Sequence, residues 1–567
     1  MNNHTQYVED AQRGDVEAFT ELVKLFQDYA VGVAVSMTKD VHVAEDVAQE
    51  SFLHAYTKLD QLRTPAAFPG WFRRIVLKFA DRHIRSRRKA SAHGDAHGEG
   101  AWVSTPESEL QSSESRALIW EAIWELPEQE RELVVHYYMS DLPQAIIAQS
   151  LNLSLNTVKN RLRSARDRLR ERMIETMNED FERLKPSQDT HFAERVFREI
   201  RRISPASLTT MMRSSGALTA GSVQSVDQIV EKETHYSGSY RLRLTYTDDV
   251  TDEVPRDLFL KTGNGNEEYL FYTHLSSALT SPVSVRCYGA ELPSDPKSDE
   301  FVVLLEDVSA THTVPEFGTE IPWPDPRIAE SIIRTFGRFH AISWGNWEEG
   351  ESSGQRWYRP ISGNAKDLCE EVFGWTPGIR PAAATLRQYC DTSVEGMEAF
   401  IGFMGDRLSR DQQSMFRRVN KAFPGLLIKR LRTHQNLTLA HRDTNPWNVL
   451  VPRKGVDYPV CLIDWMNIRV WTGPDDVAAN ICRFWSPEVQ REMEKDMARL
   501  HYDTLVENGV TGYSWDAYRA DYQLGVMEQF YKRAWRSRYL EWDEQSLWIC
   551  ENVMSAFERL ECEVLLG

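Results

Sequence analysis

Cysteine is absent from the first half of the chain. The first of the seven cysteines is Cys287, and none forms a Cys-x-x-Cys pair. This distribution argues against a disulfide framework and a zinc site, and it is typical of proteins in a reducing cytoplasm. Long apolar runs are also lacking, since Met1–Asp15 is polar and acidic and runs such as Val31–Val35 are far too short to span a bilayer. We therefore expect a cytoplasmic protein with no signal peptide and no membrane segment.

Positive charge is outnumbered in the chain as a whole, which has 66 Lys and Arg against 84 Asp and Glu and a formal net charge of −18 over 567 residues. This negative net charge of the whole chain argues against nucleic-acid binding, but the charge of each segment has to be considered separately. A chain of this length is too long to fold around a single hydrophobic core, so three or more domains are expected. Two basic clusters lie in the first third: Arg73, Arg74, Lys78, Arg82, Arg85, Arg87, Arg88 and Lys89, and then Lys159, Arg161, Arg163, Arg166, Arg168, Arg170 and Arg172.

The first 90 residues have the pattern of helices. Apolar residues recur every three or four positions over 44–59, which puts one apolar face on a helix. Pro65 and Pro69-Gly70 are expected to break this pattern, and a second helix is expected to begin near Trp71. Residues 91–112 are rich in Ala, Ser, Gly and His without periodicity, which is typical of a linker.

Residues 113–176 have the spacing of a helix-turn-helix. Leu126-Pro127 opens a helix, and Asn152-Leu153-Ser154 makes a tight turn in which Ser154 is the expected N-cap of the last helix. The core side of that helix carries Val158, Leu162, Ala165 and Leu169. The outer side carries Asn156, Lys159, Asn160 and Arg163, which suit base edges, and Arg161 and Arg166, which suit phosphates.

A basic amphipathic helix alone is more often a solvated face than a DNA reader. Here two motif sets occur in order, and together they resemble conserved regions 2 and 4 of an extracytoplasmic-function sigma factor. The first set, within 16–89, is Ala44-Glu45-Asp46, Gln49-Glu50, Phe52-Leu53, Phe68 and Trp71-Phe72-x-x-Ile75. The second set, within 126–172, is Thr157-Val158-Lys159-x-Arg161-Leu162-x-x-Ala165-Arg166.

The resemblance implies two partners, core RNA polymerase and promoter DNA. It implies polymerase contacts from Asp46, Gln49 and Glu50. It implies −10 contacts from Trp71, Arg73, Arg74 and Lys78, and −35 contacts from Asn156, Lys159, Asn160, Arg163 and Arg166. The chain departs from the family at Lys78, where Asn is usual, and at Asn152, where Gly is common.

The pattern changes after a charged, helical connector predicted at 177–205. From about 226 onwards short strands appear, including 240–246, 257–261 and 301–305, and a helix is expected at 266–279. Beyond 326 the sequence predicts mainly helix, with short strands around 437–440, 448–452 and 459–464.

This second part offers, in order, the groups that phosphoryl transfer requires. Lys261 follows a strand and suits nucleotide phosphates, and Glu268 on the next helix suits that lysine. Asp443, in His441-Arg442-Asp443, is placed to orient an attacking hydroxyl, while Asn448 and Asp464 are placed to ligate magnesium. A Lys–Glu pair is usually only a surface salt bridge, and His441 is expected to brace the loop rather than to take part in chemistry.

The stretches Leu439-Ala440-His441-x-Asp443-x-x-x-x-Asn448-Val449-Leu450, Ile463-Asp464-Trp465 and Gly473-Pro474-Asp475-Asp476-Val477-Ala478 resemble the aminoglycoside/choline kinase superfamily. The resemblance implies ATP and Mg²⁺ as cofactors and a small-molecule acceptor substrate. It also implies that Asp476 supports the catalytic loop and that Leu304-Leu305-Glu306-Asp307 is the hinge that holds adenine. A protein kinase is disfavoured because Ile-Asp-Trp replaces Asp-Phe-Gly and no Ala-Pro-Glu follows it.

The expected fold is multidomain, with all-α sigma-like modules, a helical bundle and a helix-turn-helix, followed by an α+β bilobal domain like that of protein kinases. Three functions remain open: a transcription initiation factor with a kinase-like domain, a small-molecule phosphotransferase with a non-initiating DNA-binding module, and a sigma factor whose kinase fold senses a ligand without turnover. The predicted domains are region 2-like 1–90, linker 91–112, region 4-like 113–176, connector 177–205, N-lobe 206–310 and C-lobe 311–567.

Overall fold

The computed structural model describes residues 3–93, 123, 125–140, 142–169, 185–188, 191–234, 237–251, 254–264, 267–276, 283–292, 300–315, 323–352, 355–363, 393–536 and 544–566. The described chain divides into two compact units, the first ending at Phe259 and the second beginning at Leu260. In the described ranges, no helix has both the length and the apolar character needed to cross a membrane.

The first unit begins with a helical bundle. Its helices are α1 (Asn3–Gln12), α2 (Val16–Thr38), α3 (Val41–Thr57) and α4 (Phe68–His93). Asp15 caps α2 by accepting the backbone N–H of Ala18 at 3.0 Å. The bundle core is aromatic, with Phe72 stacked on Phe68 at 5.4 Å and close to Phe52 at 4.5 Å.

Two expectations about α4 need correction. The helix begins at Phe68 rather than near Trp71, because a proline is tolerated in the first turn of a helix, where its missing N–H is not needed. It also continues to His93, past the point where the linker was predicted to begin. Residues 94–112 of that linker lie outside the described residues.

The helix-turn-helix is confirmed. It consists of α5 (Glu128–Met139), α6 (Gln144–Ser150) and α7 (Leu155–Arg168). Ser154 caps α7 by accepting the N–H of Thr157 at 3.1 Å, and Asn152 has the left-handed φ of 54° that the tight turn requires. Val158, Leu162, Ala165 and Leu169 are all buried, as the apolar stripe predicts.

The helix-turn-helix packs against the bundle within this unit. Gln149 donates to the carbonyl of Ala66 at 2.7 Å, and the ring of His136 lies 5.2 Å from that of Tyr29. A β-carbon at Gly32 would lie 3.3 Å from the β-carbon of Met139, so the two modules approach closely there.

The predicted connector is helical over α8 (His191–Arg202), which follows a short turn at Pro186–Gln188. Residues 177–184, 189 and 190 lie outside the described residues. The unit continues with α9 (Pro205–Ser214) and an antiparallel hairpin of β1 (Val223–Thr234) and β2 (Ser237–Tyr246), and it ends inside β3 (Asp257–Asn264).

The second unit contains small sheets and many helices, so the predicted change from all-α to mixed α and β structure is confirmed. Its strands are β4 (Cys287–Glu291), β5 (Glu300–Glu306), β6 (His312–Thr313), β7 (Gly345–Ser352), β8 (Gln355–Gly363), β9 (Thr438–Ala440), β10 (Val449–Pro452), β11 (Cys461–Leu462) and β12 (Arg469–Trp471). β4 pairs antiparallel with β5, β10 lies between β6 and β11, and β9 pairs with β12.

The helices of this unit are α10 (Glu267–Leu270), α11 (Pro326–Ile342), α12 (Ser393–Met404), α13 (Arg410–Leu431), α14 (Gly473–Phe484), α15 (Pro487–Glu507), α16 (Trp515–Arg536) and α17 (Glu544–Arg559). Of the expected helix at 266–279, the described residues form α10 followed by a π-helical turn, Phe271–Leu275, and residues 266 and 277–279 lie outside the described residues. The hairpin of β7 and β8 was not expected, because residues 348–352 of β7 are Glu, Gly and Ser and show no apolar alternation.

Candidate functional site

The loop after β9 is held by one buried carboxylate. Asp476, in the first turn of α14, accepts the backbone N–H of His441 at 2.5 Å and that of Arg442 at 2.9 Å. The ring of His340 lies 3.1 Å from the same carboxylate. Burial opposes the charge of Asp476, but its interactions with His340, with His441 and with the N–H of Arg442 together outweigh burial and hold the pKa of Asp476 below its ordinary value. The carboxylate therefore stays charged and fixes the loop that carries Asp443.

His441 braces this loop from inside. Its Nε2 lies 2.9 Å from the carbonyl oxygen of Ile463, and its Nδ1 lies 3.3 Å from the backbone nitrogen of Asp443. The ring packs 4.6 Å from that of Trp465, and the residue is buried. This placement matches the bracing role that the sequence predicts for His441.

Asp443 is oriented by neighbours that sequence reasoning missed. Asn445 donates its amide to Oδ1 of Asp443, and Arg483 of α14 donates to the amide oxygen of Asn445 at 2.9 Å. Asn448 donates to the backbone carbonyl of Asp443 at 3.0 Å. One oxygen of the Asp443 carboxylate is thus held, which turns the group in a fixed direction. The polar pair Thr444-Asn445 beside Asp443 was the only sequence signal for this.

Lys261, Glu268 and Asp464 come together although they are far apart in sequence. Nζ of Lys261 lies 2.6 Å from Oε2 of Glu268 and 2.8 Å from Oδ1 of Asp464. Burial opposes the charge of Lys261, but the two carboxylates outweigh it and raise the pKa of Lys261. Burial also raises the pKa of Glu268, because Lys261 offsets only part of the desolvation. With Glu268 1% exposed, this is a buried ion pair and not a surface salt bridge.

Asn448 and Asp464 are neighbours across the loop. The backbone N–H of Ile463 donates to the carbonyl of Asn448 at 3.0 Å, which brings Asn448 next to the strand that leads to Asp464. The side chain of Asp464 is 36% exposed and its backbone has a left-handed φ of 67°. Carboxylate and amide oxygens are ligands that Mg²⁺ accepts, with waters and phosphates completing its shell. Within the described ranges no group of three or more His, Cys, Asp and Glu is placed to hold a metal ion.

Arg442 belongs to a buried cluster of charged residues that the sequence analysis did not predict. Its backbone has a left-handed φ of 67°, which is uncommon for a residue other than glycine. Its guanidinium bonds to Asp475 of α14 and Glu528 of α16, and it lies 3.9 Å from the ring centre of Trp471. Burial opposes its charge, but Asp475 and Glu528 outweigh it and raise the pKa of Arg442. Two helices thereby anchor the residue before Asp443.

The predicted hinge ends β5. The backbone N–H of Glu306 donates to the carbonyl of Arg286 at 2.8 Å, so this donor is already used within the protein. The side chain of Asp307 accepts the N–H of Ser309 at 2.9 Å. The adenine contact predicted at Glu306 stays a prediction.

The recognition helix α7 exposes the predicted base-reading set. Asn156, Lys159, Asn160 and Arg163 are all exposed, on the side opposite the buried stripe. Arg166 differs from them, because its Nε donates to the hydroxyl of Tyr138 at 2.8 Å and its guanidinium lies over that ring. Such fixed geometry suits a phosphate contact better than a base contact.

On α4, the predicted −10 residues lie in different environments. Arg74 and Lys78 are exposed, whereas Trp71 is half-buried. Arg73 forms an ion pair with Glu132 of α5. In this structure the helix-turn-helix therefore neutralises one predicted DNA contact of the bundle.

The predicted polymerase contacts lie on α3. Asp46 and Gln49 are half-buried. Glu50 is buried, with its carboxylate bonded to Arg82 and 2.9 Å from Nε2 of His83, both on α4. A direct contact of Glu50 with an outside partner would require these bonds to break.

Comparisons with known proteins agree with the division of the chain. The models of Sigma-70 region 2 and Sigma-70 region 4 match residues 22–90 and 116–169. A probable RNA polymerase sigma factor, RfaY of Xanthomonas campestris pv. campestris, is 33% identical over 171 residues, which are 29% of this chain and 42% of RfaY. The chain thus spans less than half the length of that relative. The ECF RNA polymerase sigma-E factor of Salmonella typhimurium is 33% identical over 170 residues, 28% of this chain and 88% of that protein.

Among solved structures, the ethanolamine kinase of Plasmodium vivax aligns with 66% of this chain and 89% of its own, at 9% identity and a TM-score of 0.36. Both sigma-70 models match the first unit, and this chain covers 88% of the Salmonella factor. Through residues 22–169 the chain belongs to the family of ECF RNA polymerase sigma factors.

Proposed function

We propose that this sigma factor binds core RNA polymerase and promoter DNA in the cytoplasm, and that its second unit transfers the γ-phosphate of ATP to a hydroxyl of a small organic molecule. The observation that carries the second part is the contact of Lys261 with both Glu268 and Asp464, at 2.6 and 2.8 Å. A lysine between a helix carboxylate and a metal-binding aspartate is the arrangement that phosphoryl transfer requires.

Each residue has a distinct task in the proposed reaction. Lys261 would bind the nucleotide phosphates, and Asn448 and Asp464 would hold Mg²⁺, which supplies charge neutralisation when bound. Asp443 accepts a hydrogen bond from the acceptor hydroxyl and takes its proton late in the transfer. The bond from the acceptor oxygen to the γ-phosphorus forms as the bond from that phosphorus to the bridging oxygen of ADP breaks. Alignment and charge stabilisation provide most of the catalysis.

The buried supports explain how Asp443 would be aimed. The Arg483–Asn445 pair holds one carboxylate oxygen and leaves the other to receive the hydroxyl hydrogen. Asp476 and His441 keep the backbone of the loop in place. Since the supports lie on packed elements, the direction of the carboxylate is set before a substrate arrives.

Calorimetry and turnover on the full chain test the kinase part. Wild type should bind ATP only with Mg²⁺, Asp464→Ala should lose this binding, and Asp443→Asn should keep it while phosphate transfer to any accepted hydroxyl falls by orders of magnitude. Asp457→Asn, an exposed position on the same unit, is the control and should behave as wild type. If the wild-type chain does not bind ATP with Mg²⁺, the proposed phosphotransferase activity of the second unit is excluded.

The sigma part is tested separately by transcription with core polymerase. The chain should form a complex with core enzyme and direct initiation from promoters selected out of a random library. Charge reversal at Asp46, a half-buried position on α3, should weaken the complex because an acidic contact becomes a repulsive one. Retention of full binding by the Asp46→Lys variant would remove α3 from the proposed interface.

A further inference from the structure

A short segment that follows the sigma regions lies on the helical bundle. We name residues 185–188 and 191–203 the covering segment. They lie beyond residue 169, where the match to Sigma-70 region 4 ends. The segment contains α8, which packs against α2 and α3 of the bundle.

The inner side of α8 is buried and mainly apolar. Phe192 is 1% exposed and its ring centre lies 6.4 Å from that of Phe52 on α3. The other buried apolar residues are Ala193, Val196 and Ile200, with Ile203 directly after the helix. Glu199 is also buried on this side and forms an ion pair with Arg202. Arg201 lies half a turn away from Phe192 around the helix and is exposed. The amphipathic helix therefore uses its apolar stripe against the bundle, as helices do when they dock in a groove.

The start of the segment is fixed by polar contacts. The backbone N–H of Ser187 donates to Oδ1 of Asp28 at 2.7 Å, and its hydroxyl donates to Oδ2 at 2.6 Å. Asp28 lies on α2 and is itself buried. One charged acceptor thus receives two donors from the segment, which gives the docking a defined position as well as an apolar area.

The covered face adjoins the predicted polymerase contacts. Gln49 and Phe52 are three residues apart on α3, so they are neighbours on the helix surface. Phe192 packs on Phe52 and so lies beside the position where Gln49 was predicted to touch polymerase. Asp46 and Gln49 are half-buried.

We propose that the covering segment is a built-in competitor of core RNA polymerase for the α2–α3 face of the bundle. The inference rests on the proposed polymerase-binding function. The partner that fits this face is an amphipathic helix, and in the free chain α8 is that helix. Polymerase binding then requires α8 to leave the bundle. Only chains with an uncovered face can bind, so the apparent affinity for polymerase falls in proportion to the uncovered fraction.

The experiment measures binding of full-length variants to core polymerase by interferometry. Phe192→Asp places a charge in the apolar contact and should tighten binding at least tenfold. Ser187→Asp is a second, milder variant, because it sets a carboxylate beside that of Asp28 at an exposed position and should tighten binding less. Arg201→Asp changes the exposed side of the same helix and should bind as wild type. Hydrogen exchange of α3 should accelerate in Phe192→Asp and not in Arg201→Asp.

The outcomes separate the two proposals. If wild type, Phe192→Asp and Ser187→Asp bind polymerase equally, the covering segment does not compete with polymerase, and the polymerase-binding function still stands. Equal exchange of α3 in wild type and Phe192→Asp also overturns it, because the segment then does not shield that face. If no variant binds core polymerase, the polymerase-binding function fails and the competitor fails with it.

Discussion

Replacing Asp476 by Asn tests how much one buried carboxylate contributes to the order of the loop that carries Asp443. Its two oxygens accept the N–H groups of His441 and Arg442 at 2.5 and 2.9 Å. In the Asn variant one oxygen becomes an amide NH₂ that cannot accept, so one backbone N–H is left buried without an acceptor. An unsatisfied buried donor costs about 1–3 kcal/mol. The remaining hydrogen bond is then accepted by a neutral amide oxygen instead of a carboxylate, which adds about 1 kcal/mol.

The loop should therefore open about 3 kcal/mol more easily, which corresponds to amide exchange on the order of 100-fold faster at His441 and Arg442. Hydrogen exchange is the suitable measurement, because it reports the opening of this loop at individual backbone amides. The pKa of Asp476 is below its ordinary value of 3.8, despite the opposing effect of burial, so its stabilising effect is lost only in acid. The assay at neutral pH measures the charged form.

A matched change at an exposed position is available. Asp496 lies on α15 and is exposed, so Asp496→Asn should change stability by no more than about 0.5 kcal/mol. If the amides of His441 and Arg442 exchange at the same rate in both variants, the carboxylate does not hold the loop and the reasoning is refuted.

Three further predictions concern other parts of the chain. Arg163→Ala should remove about 1–3 kcal/mol of sequence discrimination, measured by competition with random DNA, whereas Arg166→Ala should weaken all sequences alike and lower the salt slope by about 1. Burial lowers the pKa of His136 to about 3 from 6.5, so the unfolded chain takes up this proton first as pH falls. Stability should drop by about 2 kcal/mol between pH 6.5 and 5, and His136→Phe should lack this part of the drop in urea melts. Glu528→Gln removes one partner of buried Arg442 and should destabilise by about 3–5 kcal/mol in thermal unfolding, unlike Glu558→Gln at an exposed site.

Local rules were sufficient to predict the helix-turn-helix. Its cap at Ser154, its left-handed turn at Asn152 and the buried stripe of α7 all follow from side chains within a few residues of each other. The Lys261–Glu268 pair was foreseen for a similar reason, because a strand followed by a helix places the two residues close together.

Contacts between distant parts of the chain could not be read in this way. The bonds from Arg483 to Asn445 and from Glu528 to Arg442 join residues 38 and 86 positions apart. Neither hydrophobic periodicity nor a sequence motif predicts such pairs, since each residue alone resembles an ordinary polar or charged surface residue. The burial of Glu50 was missed for the same reason, because its partners, Arg82 of the first basic cluster and the neighbouring His83, lie on another helix.

The arrangement around Arg442 bears on control by covalent modification. In many protein kinases a phosphorylated loop becomes ordered because its new phosphate pairs with arginine. Here Asp475 and Glu528 already pair with the guanidinium, and the indole of Trp471 covers one of its faces. A phosphate introduced nearby would have to displace two buried carboxylates to reach it. The loop is therefore set by the helices that supply those carboxylates, and phosphorylation has no vacant arginine to recruit at this position.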